Sequence, residues 1–317
     1  MMKKTRFPAR LLSCLSAFCM ATTAVACELP AFERVGGPVF RDQIPSENYQ
    51  AAADAHIFAR PGGGYAMIYS GDDSGHSSIK MAVSDDRVNW RPAGTMVGPS
   101  AGHRAPIEKE TSFYFRTASG EHQIYFIGYA DGNTYESEIY MATSGSYNGP
   151  YTVRPEPIVR LGRMDGKPVK VITSPSIVEH NGVLHMAFLG WNGFHNVSAV
   201  WTFGTTSPDN GRSWENLREV NVPIGMEGQI TRTPQGQYVA VATREHRGKE
   251  AIFAGCANHP FGPYQTLRQP ILAQAGPPHE TDEIIAPQLF YPPGASRPEL
   301  FYTGAQYDTG WWIMKAR

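Results

Sequence analysis

Ala53-Asp54-Ala55-His56-Ile57, then Tyr65-Ala66-Met67-Ile68-Tyr69, then Ile79-Lys80-Met81-Ala82-Val83-Ser84 form a three-part pattern that the chain goes on to repeat. The first segment is a strand with an acidic head, the second an aromatic-rich strand after a Gly-containing turn, and the third ends in small residue, Thr or Val, Ser. Further copies begin at Lys109-Glu110-Thr111-Ser112-Phe113, Thr173-Ser174-Pro175-Ser176-Ile177, Met226-Glu227-Gly228-Gln229-Ile230 and Ile285-Ala286-Pro287-Gln288-Leu289. Apolar residues alternate with period two within these segments, as in Met67/Tyr69 and Ile79/Met81/Val83, which is the strand signature. A repeat of about 50–60 residues indicates propellers, solenoids or arrays. Five copies predict an all-β, five-bladed β-propeller, with blades of about four antiparallel strands around a central funnel. The acidic strand heads then converge on one hole.

The blades are expected at about residues 53–93, 106–153, 171–220, 225–267 and from 282 to the end. The last copy is one strand short, and the stretch around Glu33 to Phe40 is expected to supply the missing outer strand, closing the ring and covering a sheet edge. Ser207-Pro208-Asp209-Asn210-Gly211-Arg212-Ser213-Trp214 fits an Asp-box, S-x-D-x-G-x-[ST]-W. Its Asp caps turn amides and its Trp packs beneath the neighbouring strands, so Asp209 is structural. Asp85, Asp86 and Trp90 have the same role in blade one.

The N-terminus has a separate purpose. Lys3, Lys4, Arg6 and Arg10 precede the apolar run Leu11 to Val25, and Ala24-Val25-Ala26 has the form of a signal-peptidase site. Residues 1–26 are therefore read as a signal peptide and 27–317 as one propeller domain that is exported to the periplasm or outside the cell. Cys27, directly after the site, also permits a lipid anchor in the outer membrane. Of the chain's four cysteines, Cys27 and Cys256 remain after cleavage. They pair in an oxidising compartment, or Cys256 is a small buried residue; the buried thiol is the expectation here.

Lys and Arg number 28 against 29 Asp and Glu, giving a net charge of −1. Without a basic patch, nucleic acid is excluded as a partner. No transmembrane segment remains after signal removal, and a monomer is expected. No Cys/His spacing marks a zinc site. No cofactor is expected, although a structural calcium ion in the channel is compatible with the fold.

Ile79 to Trp90 resembles the "I-x-x-A-x-S-D-D-G-x-x-W" turn of the five-bladed β-propeller glycoside hydrolases of families 43, 32, 62, 68, 117 and 130. Gly149-Pro150-Tyr151 and Gly262-Pro263-Tyr264 resemble the Gly-Pro-aromatic segment of family 43, the nearest of these. The likeness spans nearly all of the mature chain. It implies a glycosidase acting on a poly- or oligosaccharide by inversion, with carboxylates carried on separate blades.

By that resemblance Asp54 is the general base, Glu110 the carboxylate that tunes pKa, and Glu227, in Glu227-Gly228-Gln229-Ile230, the general acid. Glu108 competes with Glu110. Blade three offers only Thr173-Ser174-Pro175-Ser176 where a carboxylate is expected. Near blade five, Glu280, Asp282 and Glu283 are further candidates to face the hole. Glycosidic cleavage needs one group to protonate the leaving oxygen and another to act on the opposite face, about 6.5–9.5 Å apart for inversion and about 5–5.5 Å for retention. His103, Arg104, Trp191, His195, Arg232, Asp282 and Glu283 are the candidate substrate contacts, with Phe194 beside His195. Trp311 and Trp312 alternate, so one belongs to the core.

Three other readings stand beside this one. A sugar-binding propeller without catalysis fits the missing blade-three carboxylate. A sialidase would account for the Asp-box, but its Phe-Arg-Ile-Pro motif is absent. A phosphorylase needs a basic phosphate site, for which Arg232, Arg244, His246 and Arg247 are available.

Overall fold

The computed structural model describes residues 27–42, 50–99, 107–129, 135–193 and 199–317; the segment read as a signal peptide lies outside them. Each copy of the repeat is an antiparallel sheet that starts at the funnel. Blade one comprises Gln50–Ala59, Tyr65–Asp73, His76–Ser84 and Arg91–Val97, and blade two Glu108–Arg116, His122–Tyr129, Glu138–Ser144 and Thr152–Val153. A small hairpin, Gly162–Met164 with Lys167–Val169, precedes blade three, which comprises Val171–His180, Val183–Trp191, Val200–Ser207 and Glu215–Glu219. Blade four is Met226–Arg232, Tyr238–His246 and Lys249–Ala257 with two short outer pieces, Gln265–Thr266 and Leu272–Ala273. Blade five contributes Glu283–Phe290, Glu299–Gln306 and Gly310–Ala316. Among the described residues no helix is long and apolar enough to cross a membrane.

The buried apolar residues divide into five clusters, each between two neighbouring blades. This is what a near-continuous apolar run such as Ala66-Met67-Ile68-Tyr69 produces: every sheet buries one face against the blade before it and the other against the blade after it. Met67 and Tyr69, for example, pack with Phe290, Phe301 and Ile313 of blade five, while Ile68 lies on the opposite face with Tyr114 and Phe126 of blade two.

Polar side chains join the inner strands around the channel. His56 Nδ1 accepts the Tyr114 amide at 2.9 Å, Ser176 Oγ accepts that of Ile230 at 2.8 Å, and Gln288 Oε1 accepts that of Ile57 at 2.7 Å. Gln288 Nε2 donates back to the Ile57 carbonyl at 3.0 Å. These bonds satisfy amides that face the channel, where no sheet partner exists.

The N-terminal segment closes the ring as the sequence suggested. Glu33, Val35 and Val39 donate amide hydrogen bonds to the carbonyls of Arg317, Lys315 and Ile313 at 3.1, 3.1 and 2.9 Å. Ala51 then pairs in parallel with Trp311, joining blade one to blade five in one continuous sheet. One expectation is corrected. Cys27 and Cys256 form a disulfide that fastens the start of this segment to the third strand of blade four. The same bond takes the Cys27 sulfur that a lipid anchor would require. Glu280 is also structural: it receives Arg34 Nε at 2.7 Å and the Tyr302 hydroxyl at 2.6 Å beneath the segment, away from the funnel.

The Asp-box is a brace, as expected. Asp209 accepts the Ser213 amide at 2.9 Å and the hydroxyls of Ser207 and Ser213 at 2.8 and 2.7 Å; chiefly the Ser213 bonds hold its pKa down at about 2. Trp214 packs edge-on to Tyr125 of blade two. In blade one Asp86 accepts the amides of Val88 and Asn89, both at 2.8 Å.

The disulfide spans 229 residues of sequence. Cross-links over loops this long contribute about 3–5 kcal/mol, so replacing both cysteines with Ser is expected to lower the melting temperature by several degrees. Calorimetry of the variant, and of the wild type with and without reductant, checks this; equal melting temperatures would mean that the bridge carries no load.

Candidate active site

The five inner strands share one irregularity. Each ladder slips at the same place, between Ala53/His56, Glu110/Phe113, Thr173/Ser176, Met226/Gln229 and Ile285/Gln288. Within each bulge one residue has left-handed backbone: Asp54 (φ 55°), Thr111 (48°), Ser174 (58°), Glu227 (52°) and Ala286 (50°). Bulges of this kind bend the strand and redirect a side chain. Asp54 and Glu227 therefore occupy the same position in blades one and four. The counterpart in blade two is Thr111, so the sequence alignment of Glu110 with Asp54 is off by one residue. Glu110 stands one step earlier and reaches the same cavity from the paired part of its strand.

That cavity, about 350 Å³, is lined by Asp54, Ser70, Asp72, Ser77, Glu110, Glu227, Ile285, Trp311 and the small residues Ala51, Ala52, Ala53 and Gly71. Asp54 is held by Ser70, whose hydroxyl donates to Asp54 Oδ2 at 2.7 Å and accepts the Thr111 amide at 3.0 Å. The Asp54 amide itself donates to Thr303 Oγ1 at 3.0 Å. Glu110 Oε1 accepts the hydroxyls of Ser77 at 2.8 Å and Tyr129 at 2.7 Å. Glu108, its competitor, is turned aside to His76 Nδ1 at 2.8 Å and the Ser77 amide at 2.7 Å.

Among the described residues no Lys, Arg or His lines this cavity. Carboxylates gathered without a cation can lower their mutual repulsion by keeping a proton. Glu227 is the group that keeps it. Burial pushes its pKa well above the carboxylate range, and the Asp54 charge, a hydrogen bond to Asp54, and the charges of Glu110 and Glu283 add to the rise. Glu227 Oε2 is buried with no hydrogen-bond partner among the described residues. Glu110 is also raised, mainly by burial, with the bonds from Tyr129 and Ser77 opposing the shift. Burial and the neighbouring charges thus favour the protonated form of Glu227, which lies beside Asp54 and Glu110.

The other predicted contacts divide. His103, Arg104, Phe194 and His195 lie outside the described residues. Arg232 ends the inner strand whose head carries Glu227, which puts it at the opposite mouth of the channel with Thr233 and Tyr291. Trp191 is buried in the apolar cluster between blades three and four and does not line the cavity. Asp282 is exposed and accepts the Tyr307 amide at 2.6 Å, outside the cavity lining. Glu283 heads the inner strand of blade five, and its charge reaches Glu227. Of the paired tryptophans, Trp312 is the core residue, 5% exposed, and Trp311 the cavity residue.

Ser70, Ser77 and Tyr129 were not singled out from sequence. One signal existed for Ser70: the equivalent places on the second strands of blades four and five hold Thr243 and Thr303, whereas blades two and three hold Ile127 and Leu189. Among the described residues no group of His, Cys, Asp and Glu is arranged to hold a metal ion.

No family model and no curated protein sequence matches the chain. Solved structures do. An N-acetylgalactosamine deacetylase from F. plautii, in complex with blood group B trisaccharide, is 14% identical over 90% of this chain and 95% of its own, with a TM-score of 0.65. The endo-arabinase from Bacteroides thetaiotaomicron is 13% identical over 84% and 94%, at 0.63. An α-L-arabinofuranosidase from Podospora anserina, in complex with cellotriose, is 12% identical over 91% and 97%, at 0.64. The likeness is one of fold: this chain has the five-bladed propeller of the glycoside hydrolases related to family 43. The deacetylase shows that the scaffold also carries other chemistry, so the reaction must be argued from the site.

A raised carboxyl pKa has a definite consequence for stability. Between the ordinary carboxyl pKa of about 4.3 and the raised value, the unfolded chain releases a proton that folded Glu227 retains, so stability falls as pH rises through this window. Glu227→Gln, which still donates to Asp54, is expected to melt at a higher temperature than wild type near neutral pH, with the gain vanishing near pH 4. Thermal melts across pH check it; a constant or reversed difference would place the proton elsewhere.

Proposed function

We propose that this chain is an exported, inverting glycoside hydrolase acting on a poly- or oligosaccharide, with Asp54 as general base, Glu227 as general acid and Glu110 as the carboxylate that tunes them. The observation that carries this reading is the Asp54–Glu227 pair. Two equivalent bulges aim two carboxyls into one cavity, and their surroundings leave one protonated. An acid–base pair at neutral pH needs one group of each kind. Export is supported by the Cys27–Cys256 bridge, since disulfides persist in oxidising compartments.

In the reaction Glu227 gives its proton to the glycosidic oxygen as the bond to the anomeric carbon breaks. Asp54 removes a proton from the water that attacks that carbon from the other face. Ser70 keeps Asp54 aimed, and the charge of Glu110 discourages early ionisation of Glu227. In the free site Asp54 acts on Glu227 as a hydrogen-bond partner, closer than the roughly 6.5–9.5 Å that a sugar and a water require. Substrate must therefore enter between them and replace their mutual hydrogen bond with one from Glu227 to the glycosidic oxygen. The fold-level relatives among arabinan- and arabinofuranoside-cleaving enzymes support a carbohydrate substrate.

The test is sugar release from a panel of arabino-, xylo-, fructo-, galacto- and manno-oligosaccharides and their polymers. Asp54→Asn and Glu227→Gln are each expected to lose about a hundredfold or more, the scale of general acid–base catalysis, with Glu110→Gln losing less. Proton NMR of the first-formed anomer should show inversion. Release that survives Asp54→Asn would overturn the assignment. Binding of a panel member by wild type without any cleavage would make the protein a carbohydrate-binding propeller.

A further inference from the structure

Blade five presents an aromatic pair that neither the core nor the carboxylate machinery accounts for. The turn between Glu299–Gln306 and Gly310–Ala316 carries Tyr307, which is 52% exposed. Its ring lies 5.7 Å from that of Trp311, at an interplanar angle of 43°. Trp311 lines the catalytic cavity, so the pair runs from the cavity wall out to its rim.

Tyr307 is also pinned. Its amide donates to Asp282 Oδ2 at 2.6 Å, its hydroxyl donates to Glu283 Oε1, and the turn is closed by the Thr309 amide on the Gln306 carbonyl at 2.9 Å. An exposed ring fixed at both ends gains little from burial, yet it is preorganised for a partner with an apolar face. The C–H face of a sugar ring is such a partner. Each of the two carboxylates has a second oxygen to accept a sugar hydroxyl, and both would repel an anionic sugar. Position decides which sugar unit this is: Tyr307 bonds Glu283, and the next residue, Ile284, donates its amide to Glu250 of blade four at 2.6 Å, so the ring stands toward the blade that carries Glu227.

We propose that Tyr307 and Trp311 form the binding platform for the uncharged sugar unit on the leaving-group side of the scissile bond, with Asp282 and Glu283 accepting its hydroxyls. The location relative to the bond rests on Glu227 being the acid; the platform as a sugar site does not.

The experiment has a kinetic arm and a binding arm. In the first, wild type, Tyr307→Phe and Tyr307→Ala are compared on arabino-, xylo-, galacto- and mannotetraose and on the glycosyl fluoride of each sugar, whose leaving group has no ring. The ratio of kcat/KM for tetraose over fluoride should fall about tenfold in Tyr307→Ala, a loss of one order in binding, and far less in Tyr307→Phe, which keeps the ring. Equal losses on both substrates, or no loss, overturn the leaving-group assignment. In the second arm, calorimetry measures binding of the same tetraoses to Glu227→Gln and to Glu227→Gln/Tyr307→Ala. About tenfold weaker binding in the double variant is expected. It would sustain the platform even if wild type proved to cleave nothing, in which case only the hydrolase reading falls. Unchanged affinity, or no binding of any tetraose to Glu227→Gln or wild type, overturns the platform while leaving any observed cleavage of fluorides intact.

Discussion

The left-handed residue in each inner strand is the constraint on which the site depends. A non-Gly residue at positive φ is uncommon and strained, at about 1–3 kcal/mol each, yet the chain has one in all five inner strands. Part of the compensation comes from neighbouring blades: the kinked Asp54 donates its amide to Thr303 of blade five, and the kinked Thr111 donates its amide to Ser70 of blade one. The bulge interrupts ladder pairing at the strand head, and in blades one and four its left-handed residue lines the cavity. At the bulge, blades three and five place Ser174 and Ala286, which need no counter-charge. Only blades one and four place carboxylates, and they meet.

That meeting point spans the seam of the ring. Asp54 comes from the first blade, while Ile285 and Trp311 come from the last, so the cavity is defined only while the ends of the chain stay joined. A closed propeller therefore shapes the cavity, as well as burying sheet edges. The N-terminal segment holds the seam at successive places: the disulfide to blade four, the carbonyls of the final strand, and the Ala51–Trp311 pairing beside the cavity. Asp42 adds a link within the same stretch, accepting the Tyr69 hydroxyl and pairing with Lys80 at 2.6 Å.

Fold and site differed in how far the sequence revealed them. The repeat determined the fold because period-two alternation, Gly turns and the short final blade all follow from local rules, and the Glu33 to Phe40 strand followed from counting strands. Asp54 and Glu227 were legible because the repeat puts both at the same bulge. Glu110 was legible as a residue but not in its register: aligning acid with acid sets it opposite Asp54, whereas the left-handed residue of its bulge is the next one, Thr111. Arg232 was misplaced for a related reason: it shares a strand with Glu227, and six residues of extended chain run the depth of the channel to its other mouth. Trp191 resembles a sugar-stacking residue and a core residue equally well, and only packing tells them apart. The cysteine pair, 229 residues apart in sequence, could not be inferred until the path of the N-terminal segment was known.

The contact between Asp54 and Glu227 has a consequence for the whole catalytic cycle under the proposed mechanism. Inversion ends with the proton on the wrong group: Asp54 holds the one taken from water, and Glu227 has lost the one given to the leaving oxygen. Before another turnover a proton must pass from the base back to the acid. In many arrangements solvent would carry it, but here the two carboxyls hydrogen-bond to each other as soon as the sugar between them departs. A proton can then pass directly between them, and burial, which disfavours the Glu227 anion, with the charges of Glu110 and Glu283 adding to the effect, holds it on Glu227. The closeness thus suits the resting half of the proposed cycle, while bound substrate imposes the separation required by the other half.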